Sequence, residues 1–323
     1  MNTMNTPSNA MPEPSRNSQT TDPTLNNSPV VAPALLSATR PFYWSVRREL
    51  WENRSVYIAP VAVTGVFLFG FLISLIHLPA KTRAALALNA VQQHAIQQPY
   101  MLAAGLLMLT AMIVGVFYCL DALHGERRDR SILFWKSLPV SDLTTVLSKA
   151  SIPLLVLPLL TVAITITTHM IMLLLSSAAL LGSGLPVATV WTEVSWFHLS
   201  FMLLYHLVIV HGLWHAPFYG WLLLVSTWAR RAPFLWALLP PLAIGIVERI
   251  AFNSSHFAGL LLYQLNGGGR MSAAQVPGSA PIDMLGHFEP GMLLSTPGLW
   301  IGLAVTAAFL AAAVRLRRYR EPI

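Results

Sequence analysis

A chain of 323 residues is long enough for two soluble domains. Its composition, 55% hydrophobic and only 10% charged with a mean hydropathy of +0.59, excludes that arrangement and points to an all-α integral membrane protein. A net charge of +7 would suit a nucleic-acid binder, yet the basic residues flank apolar runs and form no single patch, so no nucleic acid is expected as a partner.

Residues 1–39 are rich in Asn, Ser, Thr and Pro and nearly free of aromatics, which predicts a disordered cytoplasmic tail. No basic start followed by an apolar core marks a signal peptide. Residues 40–55 set Phe42, Tyr43, Trp44 and Trp51 among Arg47, Arg48 and Arg54. That mixture predicts a helix lying in the lipid headgroup layer, with a water-exposed extension of the first span as the alternative.

A membrane domain over 56–320 follows, with apolar runs at 56–78, 100–120, 150–181, 196–228, 234–252 and 298–314. Each meets the roughly 17–25 residues that a helix needs to cross the hydrocarbon. The third is longer than one crossing, so it tilts, kinks at Pro153 or Pro158, or projects beyond the bilayer. The fourth is also too long for a straight crossing and has a natural kink at Pro217, and Pro240-Pro241 is expected to break the fifth. Residues 79–99, 182–195 and 253–297 read as connecting loops. The only cysteine, Cys119, rules out an internal disulfide and reads as a small buried hydrophobe.

Six spans put both termini on one side. With the amino terminus in the cytoplasm, sixteen of the twenty basic residues lie inside, and only Lys81, Arg83, Arg249 and Arg270 lie on or near the other side. The positive-inside rule therefore predicts an N-in, C-in protein of a bacterial-type inner (plasma) membrane, with the loop between spans two and three in the cytoplasm.

That loop, residues 121–149, begins dense in charge and turns apolar. Ile132, Leu133, Phe134, Trp135 and Leu138 fit about two turns of helix, with Asp129 or Ser131 as candidate N-caps and Pro139 as the stop. Ser141 offers an N-cap to the next helix, with Asp142 in its first turn. A short helix of this kind at a membrane face is either an interfacial anchor or a docking knob. Glu126, Arg127, Leu133, Pro139, Val140, Ser141 and Lys149 together resemble the cytoplasmic coupling loop of type-2 ABC exporter permeases, which reads roughly Glu-Arg-x-x-Gly-Thr-Leu…Pro-Val-Ser…Lys. Arg130-Ser131 stand where that loop has Gly-Thr. The resemblance spans about residues 41–320, through topology more than identity.

What the resemblance implies is a permease subunit of an ATP-driven exporter. It would pair with a second copy or a related permease and form the translocation path. It would couple to a separate ABC ATPase subunit, which binds ATP and Mg, through Glu126, Arg127, Arg130, Leu133, Phe134, Trp135, Leu138 and Pro139. Phe134 and Trp135 would anchor that contact, and Glu126 would orient the loop or pair with a base. Consistent with an ATPase on another chain, no Gly-x-x-x-x-Gly-Lys-Ser/Thr occurs, and Gly267-Gly268-Gly269-Arg270 lacks the Lys-Ser/Thr of a phosphate loop. No cofactor is expected in this chain, and no enzymatic site.

Two further groups lie on apolar runs. His206, His211 and His215 sit in the fourth; on a regular α-helix His211 and His215 share a face while His206 lies about 140° from His211, a poor metal set. Polar packing or a place on the translocation path remain open for them. Glu248 and Arg249 lie roughly 21 Å along the fifth span and point apart, so each needs its own partner, at the interface or on the path. Readings of another class are an intramembrane metal-dependent enzyme built on the histidines, and a non-transporting scaffold or sensor.

Overall fold

A computed structural model describes residues 39–87, 94–137, 140–194, 196–265 and 295–319. Residues 1–38 of the expected tail, Leu138, Pro139 and the glycine run at 267–269 lie outside these, while Thr39 opens the first helix. Every regular element among the described residues is helical. In chain order they are α1 (Thr39–Glu52), α2 (Ser55–Ser74), α3 (Leu78–Ala87), α4 (His94–Ala122), α5 (His124–Arg128), α6 (Ile132–Ser137) and α7 (Asp142–Ser151). Then follow α8 (Leu157–Gly182), α9 (Ala188–Val194), α10 (Trp196–Tyr205), α11 (Ala216–Trp228), α12 (Pro233–Phe252), α13 (His256–Leu265) and α14 (Pro297–Tyr319). Two π-helical segments join neighbours: Ile152–Val156 runs from α7 into α8, and His206–Trp214 from α10 into α11.

Five of these rods are long and apolar enough to cross a bilayer: Ser55–Arg83, Gln97–Arg128, Asp142–Gly182, Pro233–Phe252 and Pro297–Tyr319. Leu199–Trp214 and Ala216–Trp228, bent by 46° where they join, make a sixth if taken as one. The chain is thus an all-α, multi-pass membrane protein.

The prolines behave differently from one another. In the third run Pro153 is absorbed by the π segment, and the rod continues from Asp142 to Gly182 without a break. The bend of the fourth lies at His215, two residues ahead of Pro217; that proline takes an early position of α11, where its missing N–H has no intrahelical partner to lose. The expected break at Pro240-Pro241 does not occur, because α12 runs straight through it. Pro241 withholds the N–H that would reach the carbonyl of Ala237, and the indole N–H of Trp221 on α11 donates to that carbonyl instead, at 3.0 Å. The connections are also more ordered than their composition suggested: α3, α9 and α13 all lie within segments expected to be loops.

In the packing α2 meets α4 and α8, α4 meets α8 and α11, α11 meets α14, and α1 meets α7. Tyr118, Cys119, Leu123, Val146, Ile152, Leu157, Tyr219 and Leu222 fill the largest core, at the end where α1 lies. By contrast α12 buries no residue at all.

Close approach of the spans needs glycine at two points. A Cβ on Gly115 would stand 2.9 Å from a ring carbon of Tyr219, and one on Gly212 would stand 2.6 Å from the carbonyl oxygen of Leu154. Gly212 and Leu154 belong to the two π segments, so those segments meet there backbone against backbone. Gly212→Ala is expected to destabilise the protein by about 1–3 kcal/mol through overpacking. Gly105→Ala, where nothing lies within 4 Å, should be neutral or mildly stabilising. Thermal unfolding in detergent checks this, and equal melting of Gly212→Ala and wild type would contradict the contact.

Candidate functional site

Four helices converge at the end of the bundle where α1 lies, and they converge through charge. Glu49 of α1 is fully buried, and its Oε1 accepts from Lys149 Nζ of α7 at 2.8 Å and from Arg48 at 2.7 Å. Its Oε2 accepts from the Tyr118 hydroxyl of α4 at 3.0 Å. Glu126 of α5 stands beside it, with Oε1 at 3.1 Å from the same Lys149 Nζ and 3.4 Å from Arg48 Nη2. The other oxygen, Oε2, pairs with Arg317 Nη1 of α14 at 2.5 Å, and Arg317 Nε reaches Asp142 at the start of α7 at 3.1 Å. Three carboxylates (Glu49, Glu126, Asp142) therefore meet three cations (Arg48, Lys149, Arg317) in balance. Balance is what burial demands, since an unpaired ion out of water costs several kcal/mol. Glu52 is the rim member, 3.5 Å from Arg48; partial burial pushes its carboxyl above the usual range although Arg48 opposes the shift.

Arg127 and His124, either side of Glu126, tie in α11. Buried Arg127 donates through Nη1 to the carbonyls of Thr227 and Ala229, at 2.6 and 3.2 Å. His124 lies 3.2 Å through Nδ1 from the Ala229 carbonyl, so that nitrogen carries the proton. Both side chains thus meet carbonyls that α11 leaves open at its carboxyl end, where a positive charge is favoured.

The loop leaves this node by a tight turn. Arg130 has φ 56°, the left-handed region, in which a side chain costs about 1–2 kcal/mol. The two candidate caps of α6 are engaged in the turn: Asp129 accepts from Arg128 at 3.1 Å, and Ser131 Oγ donates back to the Glu126 carbonyl at 3.4 Å. On α6, Ile132 is buried, whereas Leu133 and Phe134 stand 59% and 60% exposed side by side. Trp135 faces inward instead, with the Arg48 guanidinium 3.7 Å over its ring. Of the two expected anchors, only Phe134 points away from the protein. Ser141 caps α7 as expected, its hydroxyl accepting from Thr144 N at 3.1 Å.

The other candidates are not part of this node. The π segment places His206 and His211 one π turn apart, so the angle of a regular helix does not apply to them. His211 Nε2 lies 2.9 Å from the Tyr219 hydroxyl, and the two ring nitrogens of His215 lie 2.9 and 3.1 Å from the carbonyls of Val210 and Leu265. These contacts are polar packing between the bent span and α13. Among the described residues no three His, Cys, Asp or Glu side chains converge as a metal site requires. Glu248 has a local partner: its carboxylate accepts from Ser254 Oγ and His256 N at 2.7 Å each and from Phe257 N at 2.9 Å. It caps the amino end of α13, while Arg249 beside it is exposed.

Glu49, Arg48, Arg317, Tyr118 and His124 were not foreseen. For Glu49 there was a signal. Val46, Glu49, Leu50 and Asn53 repeat at helical spacing opposite Trp44 and Trp51, an acid within an apolar stripe. Asn53 and Arg54 stand between the end of α1 and the start of α2.

Lys149→Met takes one cation from each of two buried carboxylates and leaves them in excess over the remaining charges, so it is expected to cost about 3–5 kcal/mol. Adding Glu49→Gln to that variant should recover part of the loss, because one carboxylate then needs no cation. Thermal unfolding of the single and double variants measures both effects, and an unchanged melting temperature in Lys149→Met would contradict the node. No family model matches the chain, and no curated protein matches it either.

Proposed function

We propose that the chain is the permease subunit of an ATP-driven exporter of the type-2 ABC kind, and that α6 receives the stroke of a separate ATPase. One observation carries the reading. α6 leaves Leu133 and Phe134 bare on its outer side, while its inner side reaches through Trp135, Arg48 and Glu126 into α1, α7 and α14. A helix that served only to float in the headgroups needs no such connection. A push on Phe134 would be passed to three helices through charge pairs that cannot part without stranding an ion. The turn at Arg130 adds support: its left-handed backbone is what glycine supplies most readily, and glycine is the residue of the resembled loop at that position.

In this reading six spans run N-in and C-in, and the charge node lies at the cytoplasmic face, where the positive-inside rule puts most of the arginines. A second copy or a related permease completes the translocation path, and ATP and Mg are held by the ATPase alone. The histidine-based enzyme is the weaker reading, because protein partners already occupy His211 Nε2 and both ring nitrogens of His215.

Phe134→Asp should weaken association with the proposed ATPase subunit by on the order of 2–4 kcal/mol and leave membrane insertion unchanged. Trp135→Asp should instead lower the melting temperature, because it removes the cover from Arg48. Co-purification at equal permease levels and thermal unfolding separate the two effects; undiminished ATPase recovery and transport in Phe134→Asp would overturn the proposal. Sidedness can be read separately from Ser141→Cys in a Cys119→Ala background. That thiol should react with an impermeant reagent only after the membrane is opened, and labelling in intact cells would reverse the orientation.

A further inference from the structure

At the end of the bundle opposite the charge node, α2, α3, α4, α8 and α9 line a small cavity with an open mouth. Phe71, Leu78 and Val190 wall it, the nearly buried Tyr100 and Ser176 line it, and Lys81 is the charged residue on it. The two hydroxyls stand 3.2 Å apart and one donates to the other. Two hydroxyls hold two protons, so their contact leaves one proton for a further acceptor. Lys81 is exposed, and among the described residues no carboxylate pairs with it. An ammonium at the rim and a spare hydroxyl proton within, on apolar walls, suit an oxyanion that is attached to something apolar.

The size narrows this further. At about 30 Å³ the cavity takes no more than a phosphate-sized group and has no room for acyl chains. Beside it, Leu72, Ile73 and Ile76 at the end of α2 are exposed and apolar, a surface on which chains can lie. We infer that this cavity seats the anionic phosphate headgroup of a bilayer lipid, with its acyl chains outside along the end of α2. Lys81 meets the phosphate, and the Tyr100–Ser176 pair donates to the headgroup oxygens. Arg83, also exposed on α3, does not line the cavity and serves as the control for diffuse charge.

The test titrates the delipidated full chain in detergent with dioleoylphosphatidylglycerol or dioleoylphosphatidylcholine, read by native mass spectrometry. One phosphatidylglycerol per chain should bind saturably, at least fivefold tighter than phosphatidylcholine. Lys81→Gln should reduce that preference about fivefold, the effect of one surface cation on an anionic lipid. Ser176→Leu should fill the cavity and abolish saturable binding; Ser176→Ala, a smaller change, should weaken binding in a chain that still folds. Arg83→Gln should leave the preference as it is. Equal binding of the two lipids, or equal weakening by Arg83→Gln and Lys81→Gln, would overturn the site. Saturation by inorganic phosphate alone, at concentrations matching the lipid, would overturn the lipid as its occupant.

Discussion

A carboxylate removed from water must be answered by cations within hydrogen-bond reach, and Glu126 is answered by three: Lys149, Arg317 and Arg48. Little of this yields net stability, because desolvating six ionised groups consumes most of what their attraction returns. What it does yield is uniqueness. Lys149 serves Glu49 and Glu126 at once, so α1 and α5 cannot take up positions on α7 independently of each other. Arg317 then holds α14 to both Glu126 and Asp142, which lie on different helices. One arrangement satisfies all of these pairs, and sliding any helix by a turn leaves an ion alone in a dry interior.

The opposite end of the bundle is held by other means. There the contacts run from side chain to backbone: His215 meets the Leu265 carbonyl, and the Glu248 carboxylate accepts from the first amides of α13. Such bonds are directional and individually modest. The protein thus has an end locked by ion pairs, where the connecting segments are short, and an end closed by side-chain-to-backbone bonds, where they are longer. In the proposed function the locked end is where force enters, and the looser end is where spans can change their spacing.

The apolar spans were legible because hydrophobic length acts locally. A run such as 298–314 declares itself whatever surrounds it, and Ser141 announces a cap through its own spacing to Thr144. What could not be read depends on partners distant in the chain. Arg317 looks like any of four terminal arginines until Glu126, 191 residues earlier, is placed beside it. Glu49 and Lys149, 100 residues apart, are each unremarkable singly. Pro240-Pro241 misled for the same reason, because the group that excuses it is Trp221 on another helix. Trp135 and Phe134 are adjacent aromatics, and only Arg48 distinguishes the inward one from the outward one.

The π segments have a consequence for helix phase. An α-helix turns about 100° per residue, so the face that a span shows at its far end depends on how many residues precede it. A π turn accommodates an extra residue without ending the rod. His206–Trp214 and Ile152–Val156 therefore act as phase shifters, and beyond them Tyr219 comes round to Gly115 while Thr161, Thr165 and Ser176 come round to the buried side of α8. Since the two shifters touch at Gly212 and Leu154, reverting one to α geometry would rotate its own span and press on the backbone of the other. The rotational settings of the third and fourth spans are in this sense a single coupled variable.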